Sequence, residues 1–194
     1  HIFPRPSLTS FDDKHPAGHL TGDFYRGHPI TWKELALAND APRTITLQIL
    51  GGALLSDLRE QSPKRIRLLG EPGAGTSTIA ARIAWDVYAK YHIPVALIRR
   101  FGAGLVDSIL RFRDLFPRSF LLVAEDEYIT AEAADRVFEQ LQAKLVAVVM
   151  LLVGQRTRSR DFDPLPPGKV QRHFEVKDKL YRRTELPDLK TKLL

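Results

Sequence analysis

Ile66-Arg67-Leu68-Leu69-Gly70-Glu71-Pro72-Gly73-Ala74-Gly75-Thr76-Ser77-Thr78 decides how the rest of the chain is read. An apolar run leads into a glycine-rich turn, and a helical pattern starts near Thr76. The spacing is that of a phosphate-binding loop, G-x-x-x-x-G-K-[S/T]. Glycines let successive backbone N–H groups wrap phosphate oxygens, a lysine reaches the β- and γ-phosphates, and a hydroxyl serves Mg²⁺. Here Gly70, Gly73, Gly75 and the Ser77 hydroxyl are in place, but the lysine position holds Thr76. The amides from Gly73 and Ala74 through Thr76, Ser77 and Thr78, at a helix N-terminus, still attract an anion, because none of them depends on the lysine. Turnover is a different matter. Losing a full positive charge beside the transferring phosphoryl group should weaken triphosphate affinity and cost orders of magnitude in rate, since that chemistry is mostly electrostatic. The bland alternative is a glycine-rich turn that merely joins a strand to a helix.

Outward from the loop, strands and helices alternate. Upstream, residues His1 to Gly27 are rich in Pro, Gly, Asp, Ser and His and read as an irregular arm. Thr31-Trp32-Lys33-Glu34 has capping-box spacing, so a short helix is expected from Trp32 to Ala38. A second is expected from Pro42 to Arg59, with Leu47, Leu50, Leu54 and Leu58 facing inward and Gly51-Gly52 weakening it. The first strand runs from Arg65 to Leu69. Downstream come a helix from Thr76 to Tyr91, a strand at Val95 to Ile98, and a helix carrying Leu105, Ile109, Phe112 and Phe116. A third strand, Phe120 to Ala124, ends in Glu125-Asp126-Glu127. Thr130 caps a helix reaching Lys144, with Ala134, Val137, Phe138 and Leu141 inward. The run Leu145 to Val153 is apolar on both faces, as a central parallel strand should be, and ends in Gly154-Gln155-Arg156. A Pro-rich loop, a fifth strand at Val170 to Val176 and a helix after Pro187 complete the order. The expected fold is a doubly wound, mainly parallel five-stranded α/β sheet. We expect residues 1–62 to form an arm and helices packed on a core spanning 63–194.

Composition sets the outer limits. With 194 residues, 44% hydrophobic and 27% charged, the chain can bury one full core. It contains no cysteine, which excludes disulfides and thiolate metal sites. No apolar run approaches the length of a membrane span and no signal peptide opens the chain, so no membrane role and a cytoplasmic setting are expected. A net charge of +6 and a pI near 9.7 admit nucleic acid as a partner without favouring it, because the basic residues are scattered. The chain opens on His1 and closes on Leu189-Lys190-Thr191-Lys192-Leu193-Leu194, a helix that looks cut partway, and we expect a piece of something longer.

Ligands of open parallel sheets lie at the carboxyl ends of the strands. Glu125 and Asp126 stand where a nucleotide-hydrolysing site places one acid for Mg²⁺ and another to polarise water, with Asp126 and Ser77 as the metal candidates. The same acids could simply solvate a strand end and open a helix. Arg156 could sense the terminal phosphate, or be a solvated loop charge; Gln155 could order water. Arg99 and Arg100 are weaker candidates. The segment Phe24-Tyr25-Arg26-Gly27-His28-Pro29-Ile30-Thr31-Trp32 either folds over a purine, with Trp32 against the base, or clamps the core. Six scattered histidines give no metal-ligand spacing.

Phosphate loop, paired acids on the third strand, a long apolar strand ending in an arginine, and the aromatic segment upstream together resemble the nucleotide-binding domain of STAND ATPases, the signal-transduction ATPases with numerous domains. They belong to the ASCE-like P-loop NTPases. The phrasing of Phe24 to Trp32 and of Gly70 to Gly75 is similar to the bacterial antiphage branch, and the resemblance covers roughly Phe24 to Leu194. It implies a switch domain that binds ATP or ADP with Mg²⁺, assembles into homo-oligomers, and lies between effector and sensor domains of a longer chain. It also implies that the strand ending in Arg156 lies beside the phosphate-loop strand. Thr76 for lysine and Glu125 for aspartate depart from the pattern, so weak or absent hydrolysis is expected. Two rivals remain: an active ATPase that borrows a cation such as Arg156 or one from a second protomer, and an interaction scaffold that binds no nucleotide.

Overall fold

The computed structural model describes residues 29–40, 43–155 and 171–176. The expected N-terminal arm, the Pro-rich loop, the helix after Pro187 and Arg156 lie outside these residues. Five strands form the sheet: β1 (Lys64–Gly70), β2 (Val95–Ile98), β3 (Phe120–Glu125), β4 (Val148–Gln155) and β5 (Gln171–Val176), in the order β2-β3-β4-β1-β5. Every pairing is parallel. β1 lies between β4 and β5, and its register against β4 runs from Lys64 beside Val149 to Gly70 beside Gln155. The loop strand and the strand leading to Arg156 are therefore neighbours, as expected, and the end of β4 reaches the mouth of the phosphate loop.

Helices cover both faces. On one side Ile66 and Leu68 of β1, Leu121 and Val123 of β3 and Val149 and Leu151 of β4 pack against Ile79, Ile83 and Val87 of α4 (Thr76–Tyr91). On the other side Phe120, Leu122, Val148, Met150 and Leu152 meet α5 (Leu105–Leu115) and α6 (Ala131–Ala143) through Ile109, Phe112, Val137, Phe138 and Leu141. The alternation of strand side chains sorts the sheet into these two cores. One ion pair crosses the second core: Arg65 on β1, 3% exposed, donates to Asp135 of α6 and lies 5.0 Å over the Phe138 ring.

The N-terminal layer begins with α1 (Trp32–Ala36), opened by the expected capping box. The Thr31 backbone N–H donates to the Glu34 carboxylate at 2.8 Å, and the Glu34 N–H donates to the Thr31 hydroxyl at 3.2 Å. The next rod is continuous but not uniform. α2 (Thr44–Ile49) passes through a π-helical turn (Leu50–Leu54) into α3 (Leu55–Arg59). This corrects the expected inner row. Leu50, Leu54 and Leu58 are buried, whereas Leu47 is 71% exposed and Thr46 and Ile49 face inward in its place. The wider turn at Gly51-Gly52 shifts the phase of the helix by about one residue, so a uniform 3.6-residue period does not extend through it.

A second correction concerns β4. Its apolar run begins at Leu145, but pairing begins only near Val148. Leu145 adopts a left-handed conformation with φ of 50° and is 81% exposed, and Val146 tucks beneath α6 with its N–H on the Leu141 carbonyl at 3.0 Å. Apolarity does not specify the element: Val146 is buried by a helix-ending turn rather than a strand, and Leu145 is not buried at all. α1 also stops at Ala36, with Ala38 left-handed beyond it.

Candidate functional site

The phosphate loop occupies the junction of β1 and α4, held there by crowding and by backbone conformation. Gly70 closes β1. A Cβ on it would lie 2.5 Å from Thr76 Cγ2, 3.2 Å from Val176 Cβ and 3.3 Å from Ala74 Cβ. Only glycine lets the loop fold back this tightly. Gly73 and Gly75 have φ of +80° and +77°, a region that a side chain makes costly, and Gly75 is the residue preceding the first turn of α4. The Ala74 N–H donates to the Glu71 carbonyl at 2.9 Å, closing the turn, and the first helical bond back into the loop is Ile79 N–H to Gly75 carbonyl at 2.9 Å. The amides of Thr76, Ser77 and Thr78 thus occupy the first three positions of α4, where helix geometry supplies no intrahelical acceptor. This arrangement suits a phosphate group.

The side chains around the loop divide unequally. Thr76 is 8% exposed, its methyl buried against Gly70. Ser77 is exposed on the first turn. Arg43, at the residue preceding α2, reaches down to donate from Nη1 to the Ala74 carbonyl at 3.4 Å. No sequence pattern signalled this contact, because the two residues are 31 positions apart and no motif pairs them.

The two acids at the end of β3 lie on different faces. Glu125 continues the face of Leu121 and Val123, which carries α4 and the loop. Its carboxylate lies 3.6 Å from Arg99 Nη1, and Arg99 in turn donates to the Tyr128 hydroxyl at 3.3 Å and lies 5.3 Å over that ring. Arg99 thus meets one of the sequence-predicted acids rather than standing apart from the site. Asp126 lies on the opposite face. It lines a cavity of about 20 Å³ with Arg67, Leu69, Ala124, Ile129 and Leu152, and its carboxylate accepts the Gln155 backbone N–H at 2.9 Å. Burial, followed by the neighbouring charge of Arg65, lowers the Arg67 guanidinium to about 10, with Asp135 opposing.

Trp32 is half-buried and stacks on Trp85 of α4, with ring centroids 6.2 Å apart, a contact that clamps α1 on α4. That clamp is reinforced by Arg82 of α4. Its Nε donates to Asp40 Oδ2 at 2.8 Å, Nη2 donates to the other Asp40 oxygen, and Nη2 also donates to the Leu35 carbonyl at 2.8 Å. A hard cation such as Mg²⁺ keeps several waters and needs few protein oxygens. The Ser77 hydroxyl and the Glu125 carboxylate are oxygen donors of that kind on the α4 face, and among the described residues there is no cluster of three or more His, Asp or Glu side chains that could hold a metal ion. Among those residues, too, no helix is long and apolar enough to cross a membrane.

No curated protein matches the sequence. Among solved structures, S. cerevisiae Hsp104 in its casein complex is similar at a TM-score of 0.55 and 13% identity, over 83% of this chain and 32% of that one. C. elegans PCH-2 is similar at 0.50 and 10% identity, over 74% and 46%. The E. coli MS115-1 HORMA:CdnC:Trip13 complex gives 0.44 and 17% identity, over 75% and 56%. The chain spans less than two thirds of the length of each of these chains, and at such identities the likeness to Hsp104 and PCH-2 is one of fold, a parallel sheet flanked by helices. Residues 22–163, well over half of the chain, match the family described as Novel STAND NTPase 5, and the chain belongs to that family.

Proposed function

We propose that this chain is the ATP- or ADP-binding switch and oligomerisation domain of a STAND signalling or antiphage-defence protein, with weak or absent hydrolysis. The observation that carries the reading is the β1–α4 junction: two positive-φ glycines ahead of an open helix start, behind a Gly70 too crowded for a Cβ. Gly70, Gly73, Ala74, Gly75, Thr76, Ser77 and Thr78 surround the phosphates, Trp32 flanks the base, and Arg156 senses the terminal phosphate. Glu125 and Asp126 attend Mg²⁺ and the attacking water. Because Glu125 shares the α4 face with Ser77, it is favoured over Asp126 for the cation. Weak turnover follows from Thr76, whose methyl is turned into the loop where a lysine would extend an ammonium toward the phosphates.

Calorimetry with ATP and ADP in the presence of Mg²⁺, together with phosphate release from this chain and from Thr76→Lys, tests the reading. Binding of at least one nucleotide with little release, and a rise in release on Thr76→Lys, is expected. Brisk release with Thr76 in place would establish the active-ATPase alternative. Absence of heat for both nucleotides would leave only the scaffold.

A further inference from the structure

We propose that Arg43 supplies the positive charge that the loop itself lacks, so that the polyphosphate is gripped between the amides of α4 and a guanidinium carried by the N-terminal layer. The inference rests on the nucleotide-binding reading above and adds a residue, and a layer of the fold, to it. Three observations carry it.

The lysine position is unusable for charge, since the short Thr76 side chain is buried and its methyl closes on Gly70. Arg43 is half-buried and directed at the loop, its Nη1 3.4 Å from the Ala74 carbonyl and 3.9 Å from where a Cβ on Gly75 would lie. That places the guanidinium beside the turn between the two positive-φ glycines. Finally, the N-terminal layer from which Arg43 reaches the loop is fastened to α4 by contacts outside the loop. Asp40, 5% exposed and three residues earlier, is clasped by Arg82 of α4, and Trp32 is stacked on Trp85 of the same helix.

A guanidinium keeps its charge at any working pH and presents planar, forked donors suited to phosphate oxygens. With five N–H donors, the guanidinium can keep its contact with the Ala74 carbonyl and still present others to a phosphate oxygen. Arg43 thereby does from α2 what a lysine in α4 would do from within the loop. It also gives the N-terminal layer a direct electrostatic stake in whether the site holds polyphosphate. Since the charge approaches beside the loop, the assignment concerns binding and carries no claim of turnover.

Affinities of ATP, ADP and adenosine for the chain and for Arg43→Gln, Arg43→Lys, Thr76→Lys and the Arg43→Gln/Thr76→Lys pair provide the test. Arg43→Gln should weaken ATP and ADP roughly 10- to 100-fold, the range of a charged hydrogen bond, and leave adenosine unchanged. Arg43→Lys should retain most of the affinity. Adding Thr76→Lys should restore Arg43→Gln, yet give the unmodified chain less than about a threefold gain, since the site already has its cation. This last comparison decides even if Arg43→Gln folds poorly: a tenfold or larger gain from Thr76→Lys alone means that the loop had no cation, and the assignment falls. It falls equally if Arg43→Gln binds ADP like the unmodified chain, or if adenosine is lost in parallel with ADP. A chain that binds ADP normally while Arg43 proves irrelevant overturns only this inference; a chain that binds no nucleotide overturns the reading beneath it as well.

Discussion

Gly70 has no room for a methyl group, and the atom that forbids it is the methyl of Thr76, the residue standing in the lysine position. Positions 70 and 76 are linked by this crowding: a β-branched side chain at position 76 uses the space that a longer, unbranched one would leave open beside Gly70. Gly70→Ala should therefore destabilise the chain by about 1–3 kcal/mol through overpacking and abolish nucleotide binding. Removing the offending methyl in Gly70→Ala/Thr76→Ser should recover most of the stability, as read by the urea midpoint. If the double variant is no more stable than the single one, the crowding lies elsewhere. Gly73 and Gly75 were legible in the sequence as flexible positions; that they hold positive φ, and that Gly70 is needed for space rather than conformation, follows from the packing of β1 on α4 and β5.

Among the elements, the rod from α2 to α3 shows how a local irregularity alters a face. Gly51 and Gly52 are exposed within the π-helical turn, and a Cβ on either would meet nothing within 4 Å. Neither has positive φ, so neither conformation requires glycine. Replacing either by alanine should raise unfolding stability by about 0.5–1 kcal/mol through the entropy of the unfolded chain. A lowered unfolding midpoint would mean that the glycines sustain the wider turn. On the far side of the sheet, Arg65 shows the opposite balance: a buried cation on β1 that α6 must answer with Asp135 and Phe138. An arginine in the middle of an apolar strand pattern gives no sign of which helix neutralises it. That is fixed only when α6 closes over β1 and β4.

For the molecule as a whole, the loop lies where α4, the end of β4 and the N-terminal layer meet, so filling it should stiffen all three. A ligand that binds only the folded state at 100 times its dissociation constant adds about 2.7 kcal/mol, which for a chain of this size raises Tm by roughly 5–10 °C. Differential scanning fluorimetry with Mg²⁺ and ADP or ATP should show that rise, and adenosine should give much less. An unchanged Tm with both nucleotides would show that the junction takes no polyphosphate.

The order of elements, the parallel sheet and the position of the loop were determined by the sequence alone, because each is written in short-range signals: apolar runs for buried strands, helical periods, a capping box and glycines at fixed spacing. Tertiary structure decided what those signals could not reach. It placed Glu125 on the face of the loop and Asp126 on the other, set Arg99 against Glu125, stacked Trp32 on Trp85, and brought Arg43 to Ala74. Strand alternation and helix docking create these contacts between residues distant in the chain, and a charge or ring acquires a role only from the partner that folding sets beside it.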